Sequence, residues 1–261
     1  MERRGKGLER TGAGDPARTL GLLWRAPGAG RNLRGPRQRT TVDAVVDAAT
    51  AIADTDGLGA VTMRAVATRL GIATMATYTY VPGKSELLDL MVDTVHSRMS
   101  RPDLRGMPWR ERVSVVADEN LQMLRRHPWV AQLSATRPPL GPGTIAKYDH
   151  ELSAFDGLGL SDLDMDSALT YVLGFVMAVA RIDIDTLDAH SDSGIDDQNW
   201  WQRAEPLLEK VLDAEKFPLA VRVGAVAGRA HQSAYSARHA YEFGLARVLD
   251  GLAPVIEATG R

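Results

Sequence analysis

Apolar positions recur at helical intervals through most of the chain, and no stretch of useful length alternates as a strand would. From Thr41 onward, Val42, Val45, Val46, Ala49, Ile52 and Ala53 fall on one face, and Gly57 ends the run. A second, short helix is predicted from Thr62, a residue suited to an N-cap, with Val66, Ala67 and Leu70 turned inward. Gly71 supplies the turn, and a third short helix follows from about Ala73 to Thr79. Pro82 and Gly83 then break the chain before a fourth helix with the stripe Leu87, Leu88, Met91 and Val95.

The remainder also reads as helices. Val113, Val116, Leu121 and Leu124 form a stripe that His127-Pro128 ends, and Pro138, Pro139, Gly141 and Pro142 mark a loop. A helix is predicted from Thr144 to Phe155. The segment Ala168 to Ile182 is apolar nearly all round, as a buried or interface helix would be. Asp183 to Asn199 is acidic and contains Ser and Gly, which predicts a mobile loop. A last long helix, Gln232 to Leu252, carries Tyr241, Leu245, Val248 and Leu249 on one face. The expected fold class is all-α: a helix-turn-helix three-helix unit at 39–100, and a helical bundle at 101–261. Residues 1–38 mix Gly, Pro and Arg without periodicity and read as a flexible basic arm, either inert or touching DNA phosphates.

Composition narrows the function. The chain has 261 residues with 44% hydrophobic and 25% charged, ordinary values for a globular protein. Cysteine is absent, which excludes disulfides, thiolate metal sites and cysteine nucleophiles. Net charge is only −2, but its distribution is uneven. Arg3, Arg4, Lys6, Arg10, Arg18, Arg25, Arg31, Arg34, Arg37 and Arg39 crowd the first segment, whereas Asp183, Asp185, Asp188, Asp192, Asp196 and Asp197 form an acidic run. The longest apolar stretch, Tyr171 to Ala180, is too short to span a bilayer, and Leu20 to Trp24 is too short for a signal-peptide core. A cytoplasmic protein without a membrane partner is expected. Enzyme motifs are missing as well. The six histidines show no metal-ligand spacing, and neither a nucleophile elbow nor a dinucleotide-binding glycine pattern occurs. Gly83-Lys84-Ser85 resembles the end of a P-loop, but Tyr78 stands where that loop needs its first glycine. No catalytic residue, cofactor or metal is assigned.

Two short helices joined at Gly71 and braced by a third have helix-turn-helix dimensions. The stretch from Ala44 to Asp93 strengthens that reading, because it resembles the TetR-family DNA-binding domain over its whole length. The resemblance rests on Ala48-Ala49, the Gly57 stop, the Thr62 cap, the Leu70-Gly71-Ile72 turn, Tyr78, Tyr80 and Lys84. Val66 and Ala73 depart from the pattern; Ala73 replaces a frequent serine cap, and Thr74 is the residue placed to substitute for it. The resemblance implies a recognition helix in the major groove of operator DNA. Thr74, Met75 and Ala76 then face base edges, and Arg64, near the Thr62 cap, can grip a guanine. Tyr78, Thr79, Tyr80 and Lys84 become phosphate contacts. For Tyr78 core packing, and for Arg64 a solvated surface position, remain open.

Beyond Ser100 the segments around Trp109, His127-Pro128, Thr136-Arg137-Pro138 and Glu242-Phe243-Gly244-Leu245 are similar to the C-terminal domain of the tetracycline-repressor branch. That similarity implies a homodimer built on late helices, here near Asp166 to Ile182 and Gln232 to Leu252. Ala168, Gly174, Ala178, Tyr241, Leu245 and Leu249 are its candidate interface residues. It also implies a small-molecule pocket, for which the candidates are Met123, Trp129, Leu133, Tyr148, Phe155, Tyr171, Phe175 and Met177, with Arg181 as an anchor; for each, core packing is the competing role. The branch's metal-chelating positions fall on Ser100, Val116 and near Leu133 or Ser134, none a suitable ligand. The expected function is a ligand-responsive repressor, released from a palindromic operator by a small, mostly apolar effector; an activator, or a regulator without an effector, is the alternative.

Overall fold

The computed structural model describes residues 9–26, 40–133 and 137–258. Among them every regular element is helical: α1 (Pro16–Leu23), α2 (Val42–Asp56), a 3-10 turn (Leu58–Ala60), α3 (Met63–Leu70), α4 (Thr74–Tyr80), α5 (Lys84–Ser97), α6 (Trp109–Arg126), α7 (Trp129–Gln132), α8 (Pro142–Leu152), α9 (Asp162–Ser193), α10 (Asp197–Val211), α11 (Pro218–His231) and α12 (Ala237–Ala258). The all-α expectation holds.

Local chemistry accounts for the first helices. Thr41 caps α2, its side-chain oxygen accepting from the Ala44 N–H, and Thr62 caps α3 in the same way through Ala65. Gly71, at φ +67°, ends α3 in the left-handed conformation that turns the chain into α4. Ala73 leaves α4 without a side-chain cap, and Thr74 does not take over: it is the first helical residue. Thr77 is fully buried on the inner side of α4, and its hydroxyl donates to the Thr74 carbonyl at 2.6 Å.

One apolar core runs from Val45 and Leu87 through Val116 and Phe155 to Val176 and Leu249. Burying so many aliphatic side chains, each worth about 1.5–3 kcal/mol, holds the α2–α5 unit against the later bundle. Helix α5 packs against α8, and α6 against α9.

Four segments differ from the sequence-based expectation. Within the supposed flexible arm, residues 9–26 are seated on the body, with Asp15 capping α1 and Leu23 buried; residues 1–8 and 27–39 lie outside the described residues. The acidic stretch is no loop as far as Ser193. There α9 continues, because Ile184 is buried and Asp183 pairs with Arg125 at 2.6 Å. Residues 197–231 form two further helices, α10 and α11, and α10 buries none of its side chains. Gln232 is the left-handed cap of α11 at φ +52°, so the last helix starts at Ala237 instead.

Candidate DNA-reading face and effector cavity

The Thr62 cap and the Gly71 turn present α4 with its first turn outward. Met75 is 76% exposed and Tyr78 43% exposed. With Thr77 buried on the inner side of α4, the large side chains of Met75 and Tyr78 are left facing water, as on a candidate contact surface. Packing therefore does not explain Tyr78. Thr74 and Thr79 are exposed beside them, and Ala76 and Tyr80 are half-buried. Arg64 is exposed at the start of α3 and forms no ion pair among the described residues. Lys84, the first residue of α5, is half-buried and pairs with Glu9 at 2.8 Å. Of the sequence-predicted DNA-contact residues, Thr62, Arg64, Thr74, Met75, Tyr78 and Thr79 are exposed on α3 and α4 or at the start of α3, and Ala76, Tyr80 and Lys84 are half-buried.

The bundle holds a partly open cavity of about 520 Å³ between α5, α6, α8, α9 and the loop at 138–140. That volume suits a drug-sized molecule. Its walls are mostly aliphatic, and Met123, Leu133, Tyr148 and Met177 line it as the sequence predicts. Five other candidates do not. Trp129 and Phe155 are buried in the core, because a large aromatic gains most by full burial. Tyr171 is exposed on the outer face of α9. Phe175 stacks on Tyr241 with ring centroids 5.9 Å apart. Arg181 is exposed and donates to the Ala131 carbonyl at 3.2 Å, so it anchors nothing inside.

Apart from Tyr148, the polar groups of the cavity are not among the sequence-based candidates. Glu151 is buried, accepts from the Asn120 amide and pairs with Lys147 at 2.7 Å. Tyr148 donates to Asp166 at 2.8 Å. His96 Nδ1 lies 3.0 Å from the Thr144 hydroxyl, and burial pushes its pKa down to about 3, with Lys147 and Arg101 adding to the shift. His96 is therefore neutral at physiological pH. An i,i+4 Lys-Glu pair ordinarily reads as solvated surface, so the sequence held no signal for this wall.

A hydrogen bond ties α5 to α8 beside the cavity. Asp93 on α5 accepts from the Thr144 N–H in the first turn of α8 at 2.8 Å. One helix thus starts at the candidate phosphate contact Lys84 and reaches the cavity wall at His96.

For the proposed interface, Ala168, Leu245 and Leu249 are buried within the chain itself, where α9 and α12 pack together, and Tyr241 bonds to Asp118 at 2.6 Å. They do not face outward. Gly174 and Ala178 are exposed, along with Leu163 and Tyr171 on the same helix and Phe243 on α12. Trp200, Leu207, Val211, Val223 and Val226 add further exposed apolar area on α10 and α11.

Comparison with known proteins agrees with this architecture. Residues 101–256 match the family described as "Tetracyclin repressor-like, C-terminal domain". The chain is 40% identical over 245 residues to the HTH-type transcriptional repressor DrrR1 of Streptomyces coeruleorubidus, covering 94% of this chain and 88% of that protein. Among solved structures it is similar to the TetR family protein ActR of Streptomyces coelicolor in complex with actinorhodin. The TM-score is 0.68 at 26% identity, with 82% of this chain and 96% of that one covered. The complex of ActR with (S)-DNPA matches at TM-score 0.66 and 26% identity, covering 83% of this chain and 98% of that one. With a helix-turn-helix unit, a cavity in the bundle and these relatives, the chain belongs to the TetR family of transcriptional regulators.

Proposed function

We propose that the chain is a cytoplasmic, ligand-responsive repressor that binds a palindromic operator as a homodimer and is released by a mostly apolar organic effector. The observation that carries this reading is the Asp93–Thr144 hydrogen bond. It joins the helix that begins at Lys84 to a helix that walls the cavity. A molecule entering the cavity presses on α8, and α8 cannot shift without α5. The effector must bind the released conformation more tightly, since equal affinity for both conformations moves nothing.

The relatives support the two ends of the mechanism: one is named as a repressor, and ActR is described with actinorhodin and with (S)-DNPA. Aliphatic walls favour an apolar effector, and the Asn120–Glu151–Lys147 wall offers it polar contacts at one side. A metal-chelated ligand of the tetracycline kind is disfavoured, because Val116 is buried in the core and Ser100 is exposed. Arg64 and the first turn of α4 read bases; Tyr78, Thr79, Tyr80 and Lys84 hold phosphates.

Dimerisation rests on the outward stripe of α9 at Leu163, Tyr171, Gly174 and Ala178, with Phe243 also exposed on α12. A monomer would leave that apolar area, and most of α10–α11, in water. Two recognition helices of a dimer then meet successive major grooves about 34–36 Å apart, or a multiple of that. The test is selection of bound sequences from random duplexes, with light scattering of the protein. Enrichment of an inverted repeat by a dimer supports the proposal. A monomer, or no enriched sequence, contradicts it.

A further inference from the structure

Residues 9–25 lie across the junction between the reading face and the cavity, and they are fastened at several points. Glu9 pairs with Lys84 at 2.8 Å. The Thr11 hydroxyl donates to the Arg137 carbonyl at 2.7 Å, and the Gly12 N–H donates to Asp89 on α5 at 2.9 Å. At the far end the Trp24 indole donates to the Leu140 carbonyl at 2.8 Å, and Arg25 pairs with Asp43 on α2. Thr11 also lines the effector cavity, and Leu140, with Pro138 and Pro139 between the two fastened carbonyls, is part of its wall.

The fit is close enough to need a particular residue. Gly12 sits at φ +64°, and a Cβ there would come within 2.6 Å of the Arg137 Cβ. A segment merely draped over the surface would need no glycine at that point.

We propose that residues 9–25 form an autoinhibitory strap, seated on the cavity loop, that withholds Lys84 from DNA by pairing it with Glu9. The proposal rests on the assignment of Lys84 as a phosphate contact. A carboxylate on the lysine repels an incoming phosphate, so DNA must first separate the pair. Because the strap is fastened to residues 137–140, whatever holds that loop in place favours the seated strap and weakens DNA binding, and bound DNA in turn disfavours the seated strap.

The test uses the full chain and a fluorescent mixed-sequence duplex, because a phosphate contact acts on any sequence. Glu9→Gln removes the competitor, and Gly12→Ala unseats the strap. Each should bind DNA about two- to five-fold more tightly than the parent, the range a partly exposed ion pair supports. In a Lys84→Ala background the gain from Glu9→Gln should vanish; a gain that persists there reports general charge repulsion and overturns the proposal. Unchanged or weaker binding by Glu9→Gln, with the parent binding well, also overturns it. Trypsin provides a readout independent of DNA: Gly12→Ala should speed cleavage after Arg18. If the parent binds no duplex at all, the repressor reading fails, and equal cleavage rates would then reject the seated strap on its own account.

Discussion

The indole N–H of Trp129 donates to Asp54 Oδ1 at 2.7 Å, and His127 Nδ1 approaches the same oxygen at 2.7 Å. One carboxylate on α2 therefore fastens the reading unit to the break between α6 and α7, next to Val130 and Leu133 on the cavity wall. Asp54→Ala leaves a buried indole donor without its acceptor. It should lower stability by about 1–3 kcal/mol in urea denaturation. Trp129→Phe removes donor and demand together and should cost less than Asp54→Ala on that account; the reverse order would show that packing dominates.

Base readout and phosphate grip should separate by mutation. Arg64→Ala is expected to cost about 1–3 kcal/mol on the selected operator and to relax preference at one base pair per half-site. Lys84→Ala should weaken all sequences alike and make the salt dependence shallower by about one unit for each phosphate the protein no longer grips. Binding titrations on operator and mixed-sequence duplexes distinguish them. An unchanged preference profile for Arg64→Ala would return Arg64 to the solvated surface.

The first half of this architecture was legible because its signals are local. Thr41, Gly57, Thr62 and Gly71 each act on the backbone beside them, so the helix limits around the reading unit follow from the chain itself. Contacts distant in sequence were not legible. Trp129 and Phe155 were candidates for the pocket on size, yet size is what draws an aromatic into the core. The buried Lys147–Glu151 pair has the spacing of a surface pair. Leu245 and Leu249 form a stripe that faces α9 of the same chain as readily as a second copy. Residues 9–26 lack periodicity, and their order comes from hydrogen bonds to Arg137, Asp89 and Leu140.

The buried ion pair should behave asymmetrically. Lys147→Met strands the Glu151 carboxylate, which is 3% exposed, and should cost about 3–5 kcal/mol. Lys147→Met combined with Glu151→Leu should recover most of that loss. Thermal or urea denaturation of the two variants measures it; a double variant no better than the single would show that Asn120 also depends on the carboxylate.

Acid should destabilise the fold through His96. Its pKa falls from 6.5 in the unfolded chain to about 3 in the fold. Between those values the unfolded state binds a proton that the folded state does not, so stability drops as pH falls below 6.5 and is recovered above it. Lowering pH to 5 should remove about 2 kcal/mol from this group. In His96→Asn that part of the pH dependence should disappear from urea titrations at each pH.

The most direct test of the account is release of the selected operator, followed by fluorescence anisotropy, in the parent and in Val176→Phe. Val176 is buried on the cavity wall, and phenylalanine there fills space an effector needs without touching the reading face. Actinorhodin, the ligand of the similar ActR, is the first probe, with a panel of apolar aromatic compounds beside it and magnesium or chelator added in separate arms. The parent is expected to release DNA without magnesium. Val176→Phe is expected to bind operator normally and to need at least about tenfold more compound, the size of a roughly 1.4 kcal/mol loss. Release that requires magnesium, or equal sensitivity in the parent and Val176→Phe, would contradict these expectations.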